Sequence, residues 1–204
     1  DPRPALVQFV RRMSGFFATS RARFSMLGAA IFWATAVVLR VMLVAWAPAV
    51  LLTTSTAQIA DLTVFIAIGI AAGSIVVPWL VPIERLRRAR LAAYVMGLFI
   101  VALALVDHAA SARFVLFAIG MAGGIFVVPI NAALQEIGHR TIGAGGAVAI
   151  QNFFENLAML LGTGLYSMAL TQQVHPVQAM TVLGVVVLLA TTLVAWQLPR
   201  NGRP

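Results

Sequence analysis

The sequence contains no cysteine and no lysine, and only six acidic residues among its 204 positions. Without cysteine, neither a disulfide nor a thiolate metal ligand enters the chemistry. No Lys-Ser/Thr follows the glycine-rich string Thr141-Ile-Gly143-Ala-Gly145-Gly146 and no strand precedes it. It is therefore read as glycines at a tight turn before a helix, not as a phosphate loop. His-Glu-x-x-His and Gly-x-Ser-x-Gly are both absent, so hydrolytic catalysis has no positive support. His108, His139 and His175 lie apart without metal-ligand spacing, and neither a metal nor a cofactor is expected. Charge is scarce as well: 10% of residues are charged, against about a quarter in a soluble domain.

What the chain has instead is apolar length, with 61% of residues hydrophobic. Uncharged runs at 62–83, 114–135 and 176–199 each reach the roughly 20 residues that carry a helix across the hydrocarbon core. The run 91–106 is shorter, but Arg90 at its edge can snorkel and the bilayer can thin. Two further segments, 24–52 and 143–170, are long enough and carry one interior charge apiece, Arg40 and Glu155. The expectation is an all-α membrane protein of six transmembrane helices. No repeat of 20–50 residues and no Pro/Ser/Gly-rich linker divides it.

A net charge of +8 would point to nucleic acid in a soluble chain. Here the placement of the arginines says otherwise, and no nucleic-acid partner is expected. Arg3, Arg11, Arg12, Arg21 and Arg23 precede the first span, Arg85, Arg87, Arg88 and Arg90 lie between the second and third, Arg140 follows the fourth, and Arg200 and Arg203 follow the sixth. The opposite loops hold only Arg113. This bias predicts both termini on the cytoplasmic side. The chain opens at Asp1 without a signal-peptide pattern, so it is expected to begin inside a longer protein. Residues 1–23 read as a cytoplasmic linker in which Leu6, Phe9, Val10, Met13, Phe16 and Phe17 recur at helical spacing, as in a helix lying in the headgroup layer. Residues 24–199 form the bundle and 200–204 a tail. Trp46, Trp79 and Trp196, near span ends, are expected as interfacial anchors.

The polar residues inside the spans carry the functional reading. A charge at mid-helix costs about 2.5–3.5 kcal/mol on insertion scales, so Arg40 needs a partner. Its planar fork suits a phosphate or carboxylate, and Trp33, seven residues earlier, shares its face. An ion pair or snorkelling is the structural alternative. Gln151, Asn152, Glu155 and Asn156 crowd six positions of the fifth span, with Gln151 and Glu155 on one stripe that Gly162 and Tyr166 continue. Such groups must face the bundle or a water-filled cavity. Glu155 can receive a substrate amine, bind a proton or balance Arg40, and the two charges are expected to be sheltered together. In the fourth span, Gly120 and Gly124 read as helix packing, and Asn131 as a site candidate. Pro48, Pro78 and Pro129 are candidate kinks.

Two sets of strings resemble known families. Ile83-Glu84-Arg85-Leu86-Arg87-Arg88-Ala89-Arg90 is similar to the acidic/basic loop motif of the major facilitator superfamily, without that motif's usual glycine and aspartate. Glu84, Arg85 and Arg88 would then be its gating residues. Arg23-Phe-Ser-Met-Leu-Gly28, Phe32-Trp33 with Leu39-Arg40, Gly123-Gly-Ile-Phe-Val-Val-Pro129-Ile-Asn131-Ala-Ala-Leu-Gln135-Glu136, Gln151-Asn152 and Glu155-Asn156-Leu-Ala-Met-Leu-Leu161 resemble the C-terminal half of bacterial lysophospholipid transporters of that superfamily. The resemblance implies one half of a two-half transporter in the bacterial inner membrane. It would import lysophosphatidylethanolamine and lysophosphatidylglycerol for re-acylation, with Arg40 and Glu155 meeting the headgroup, Gln151, Asn152, Asn131 and Trp33 around them, and membrane lipids, the N-terminal half and an acyltransferase as its associates. Proton-coupled efflux of amphiphiles, with Glu155 carrying the proton, and a non-transporting scaffold for an acyltransferase are the alternatives.

Overall fold

A computed structural model describes residues 19–81 and 83–196, together with Val7, Ser14 and Phe17. Most of the expected interfacial helix at residues 6–17 and all of the tail at 200–204 lie outside the described residues, as do Pro82 and the side chains of Glu84 and Arg85.

Among the described residues six long helices follow one another: α1 (Ser20–Leu51), α2 (Thr56–Leu80), α3 (Ala89–Ala102), α4 (Ala109–Thr141), α5 (Ala144–Thr171) and α6 (Pro176–Trp196). Short 3₁₀ turns at Ile83–Arg88 and Leu103–Leu105 flank α3. The ends are set locally. Thr19 caps α1, its side chain accepting from the Ala22 N–H at 3.1 Å. Gly143 turns the chain from α4 into α5 with φ +81°, a conformation that a side chain disfavours. Pro48, Pro78 and Pro129 all lie within helices that continue through them.

Five of the helical segments are long and apolar enough to cross a membrane. The helix outside that set is α5, which at 28 residues has the length but carries the Gln151–Asn156 polar cluster. The chain is an all-α membrane protein. Hydroxyls inside the helices are satisfied by the preceding turn, as where Thr35 donates to the Ile31 carbonyl at 2.7 Å and Thr191 to that of Val187 at 2.7 Å.

The helices pack in a pattern that the residues themselves do not repeat. α2 lies along α4 and α1 along α5; α3 packs on α4 and α6 on α1; α1 meets α4 and α3 meets α6. Exchanging the first three helices for the last three turns the first contact into the second and the third into the fourth, and leaves the last two as they are. The repeat absent from the sequence is present in the packing, because it resides in which faces meet and not in shared residue types.

Small residues make the closest of these contacts. A Cβ on Gly69 or Gly73 would collide with the carbonyl oxygens of Phe117 or Met121, and one on Gly120 or Gly124 with those of Ile66 or Ile70. The Gly120–Gly124 pair therefore serves helix packing, as its spacing predicts, with a second pair facing it from α2. Gly97 and Gly184 do the same between α3 and α6: a Cβ on Gly184 would stand 3.0 Å from the Gly97 oxygen.

Central helices carry the core. α4 has 61% of its apolar stretch buried, against 22% for α2, so α4 is enclosed while α2 keeps an uncovered flank. Trp46 departs from expectation: it is fully buried, whereas Trp79 and Trp196 are 75% and 81% exposed. The reason is that α1 is flanked by α4, α5 and α6, so a ring near its end faces protein instead of headgroups.

Ion pairs mark two places near the helix ends. Arg21 and Arg140 both reach Glu136, at 3.1 and 3.0 Å, tying the start of α1 to the end of α4. Arg113 binds Asp61 at 2.8 Å and lies 5.7 Å from the centre of the Phe65 ring, tying the starts of α2 and α4.

Candidate functional site

Four of the sequence-predicted residues converge where α1, α4 and α5 meet. Glu155 is 7% exposed, and its carboxylate accepts from the Gln151 amide at 2.7 Å. The same amide nitrogen donates to the Asn131 carbonyl oxygen at 3.1 Å, crossing from α5 to α4. From α1, Trp33 lies beside the Glu155 carboxylate. The i to i+4 spacing of Gln151 and Glu155 makes the first link, and the helix crossing makes the others.

The network organises a buried acceptor. A carboxylate offers about four lone-pair positions, and the Gln151 donor does not use them all. A ligand ammonium or hydroxyl is the complementary chemistry. Two neighbours stand outside the network. Asn156 is exposed and donates to the Asn152 backbone oxygen one turn earlier, at 2.7 Å, and Asn152 itself is exposed.

Arg40 also stands apart, which corrects the expectation that it shelters with Glu155. It is exposed and forms no ion pair among the described residues. The register of α1 against α5 is the cause. A Cβ on Gly162 would touch Val38 at 3.0 Å and Ala34 at 3.6 Å, so the two helices run parallel with Arg40 level with Tyr166. Glu155 and Tyr166 are eleven residues apart on α5, a rise of roughly 16 Å.

Arg40 lines a cleft of about 470 Å³ with Val44, Tyr166 and Leu170. A planar guanidinium in apolar walls is suited to bidentate pairing with an oxyanion such as phosphate or carboxylate. Trp33 with Glu155, and Arg40 with Tyr166, thus stand at two separate levels along α1 and α5. Tyr166 is the residue that sequence reasoning placed on the stripe without giving it a role. Its significance lies in what crosses from α1, which spacing along α5 does not reveal.

Of the proposed gating residues, Arg88 is exposed at the end of the Ile83–Arg88 turn. Among the described residues, no three His, Asp or Glu come together as a metal site.

Comparison with known proteins adds a separate line of evidence. The chain is 45% identical over 147 residues to a protein of Cronobacter sakazakii, 72% of this chain and 37% of that one. It is 38% identical over 175 residues to a protein of Klebsiella pneumoniae subsp. pneumoniae (86% and 44%) and 38% over 190 residues to one of Shigella flexneri serotype 5b (93% and 48%). Each of the three is named lysophospholipid transporter LplT. No family model and no solved structure matches. The chain spans less than half the length of these relatives. Over most of its own length and under half of theirs, the chain is thus similar to proteins named lysophospholipid transporter.

Proposed function

We propose that this chain is the C-terminal six-helix half of a bacterial lysophospholipid importer of the major facilitator superfamily. α5 then also crosses the membrane, which makes six spans, and both termini lie in the cytoplasm with the bundle in the inner membrane. The observation that carries the reading is the buried Glu155 with its Gln151–Asn131 hydrogen-bond network beside Trp33, between the same two helices, α1 and α5, as Arg40, which forms no ion pair among the described residues, in a chain whose relatives are named for lysophospholipid transport. A lysophospholipid brings a phosphate for Arg40, in some headgroups an amine for Glu155, met at separate points along the path, and a single chain that tolerates apolar walls.

Other features support it. The contacts that interchange the two helix triplets are what inverted repeats within one half would give. α2 and α5 leave large apolar side chains uncovered, Ile75 at 66% and Leu165 at 69%, which suits a face that a second half covers. The arginine bias supplies the orientation. Transport is rocking of this bundle against the N-terminal half, with Glu84, Arg85 and Arg88 in the loop that gates the cytoplasmic side. Residues 1–23 link the halves, 24–199 form the bundle, and 200–204 end in the cytoplasm. The imported lipid then passes to an acyltransferase.

The test is uptake of labelled lysophosphatidylethanolamine and lysophosphatidylglycerol by the full-length protein in cells lacking their own transporter. Uptake by the wild type, with loss in both Arg40→Ala and Glu155→Gln, is expected. Normal uptake by both variants would refute the site. Acid-dependent efflux of amphiphiles without lysolipid uptake would favour a drug exporter.

A further inference from the structure

Where α2 and α3 lie against α4 they leave a gap. Each packs on α4, but among the described residues α2 and α3 do not pack along each other. The result is a cleft of about 290 Å³, floored by Ala122 and Ile125 of α4 and walled by Leu80 of α2 and by Leu91 and Val95 of α3, with Arg88 in its lining. Leu91 and Val95 are 59% and 42% exposed, so the α3 side forms an open lip.

This cleft is separate from the surfaces described so far. Ala122 and Asn131 are nine residues apart on α4, about two and a half helical turns, so the cleft and the Glu155 network occupy opposite faces of that helix. Leu80 is five residues from Ile75, roughly 140° around α2, so the cleft also opens away from the apolar flank assigned to the second half.

Charge is gathered at one end of it. Arg88 is exposed and forms no ion pair among the described residues. The loop around it carries Arg85, Arg87, Arg88 and Arg90 against a single acid, Glu84. Trp79, next to Leu80 and largely exposed, puts an amphipathic ring at the same end, which is the level where headgroups begin. From Arg88 to Val95 the α3 wall rises roughly 10 Å, within the ~15 Å of hydrocarbon in one leaflet. A cation at the mouth with an apolar trough below it matches, in order and in depth, the phosphate and upper acyl chain of a glycerophospholipid.

We propose that the α2–α3–α4 cleft is a binding site for an anionic diacyl phospholipid of the surrounding leaflet, with its phosphate on Arg88 and one acyl chain laid along Leu91 and Val95. The occupant is a resident lipid and not cargo, so the site goes beyond the transport reading, which supplies only the leaflet, the cytoplasmic one. The loop sets the preference. A guanidinium pairs with the phosphodiester of any phospholipid, but the ammonium of a zwitterionic headgroup would enter a loop of four arginines and one acid, whereas a glycerol headgroup brings no cation. Lipid tails are as apolar as the cleft walls, so the trough seats the chain and Arg88 provides the selectivity. Because Arg88 ends the Ile83–Arg88 turn, a bound lipid tethers that loop to the leaflet.

The test uses delipidated full-length protein in mixed micelles with a phosphatidylglycerol that carries a photoreactive group in the upper part of one acyl chain, the adducts being mapped by mass spectrometry. Adducts should concentrate at Leu91 to Val95 and at the end of α2. Unlabelled phosphatidylglycerol should remove them at a roughly fivefold lower concentration than phosphatidylethanolamine, the factor for one basic residue at an anionic surface. Equal competition by the two lipids, or adducts spread evenly over α3 and α6, would overturn the site, because an ordinary bilayer lipid behaves so.

Arg88→Gln should cut the adducts roughly fivefold and abolish the preference, whereas Arg140→Gln, at the other basic loop, should change neither. A preference that survives Arg88→Gln, or that Arg140→Gln removes equally, would overturn the role of Arg88. Val95→Phe fills the trough and should lower the yield to a similar degree; an unchanged yield would place the chain outside the cleft. Both arginines are exposed, so neither variant threatens the fold, and the wild-type competition decides without them. Lysolipid uptake enters none of these readouts, so failure of the site and failure of the transport reading are distinguishable.

Discussion

The separation of Arg40 from Glu155 is open to a quantitative test by a double-mutant cycle. Opposite unit charges roughly 16 Å apart attract by about 1 kcal/mol at an effective dielectric constant of about 20, against about 4 kcal/mol for a direct pair at 4 Å. Affinity for lysophosphatidylethanolamine would be measured on the full-length protein for the wild type, Arg40→Ala, Glu155→Gln and the double variant. With the helix register described here, the two losses add to within about fivefold, because about 1 kcal/mol is the largest direct coupling available. The same cycle asks whether one headgroup bridges both residues at once. A glycerophosphoethanolamine headgroup is much shorter than the gap, so bridging is not expected and additivity holds in the complex too. A double variant no weaker than either single one, with coupling approaching a thousandfold, would refute the α1–α5 register and restore a paired site.

Three further outcomes follow from particular contacts. Gly120→Leu should lower the melting temperature by the cost of overpacking, about 1–3 kcal/mol, whereas Gly145→Ala, which meets nothing within 4 Å, should leave it unchanged or slightly higher in the same thermal scan. Gln151→Leu removes the donor to Glu155 within α5 and to Asn131 on α4; at about 0.6–1.7 kcal/mol for the one interhelical bond it should destabilise the protein measurably in detergent unfolding, and Asn152→Leu should not. Asp61→Asn breaks a half-exposed pair with Arg113 worth at most about 1 kcal/mol, so its small melting shift should vanish at high salt; a large, salt-independent loss would mean that the pair is shielded from water.

Much of the architecture was legible before any coordinates. Apolar runs located all six helices, because segment length against bilayer thickness is a one-dimensional property. The run at 91–106, shorter than the others, matches α3 and its 3₁₀ ends. The Gln151–Glu155 stripe and the Gly120–Gly124 pair followed from helical periodicity, and both proved to be contacts. The Trp46 expectation failed because proximity to a span end does not say how many neighbours surround that end. Tyr166 lay on a known face, but that it lines the cleft of Arg40 depended on α1.

The sequence by itself determined that this is a helical membrane protein, which helices it has, and which polar residues must be hidden from lipid. These follow from composition and local periodicity, which each segment carries alone. Only the tertiary structure decided that Asn131 and Trp33 join Glu155 while Arg40 does not. It also decided that the helix triplets pack as counterparts and that α2 and α3 leave a cleft over α4. Those depend on the sliding register of one helix against another, fixed by the fit of Val38 and Ala34 against Gly162 and of α2 against α4 at their glycines, which no single segment encodes.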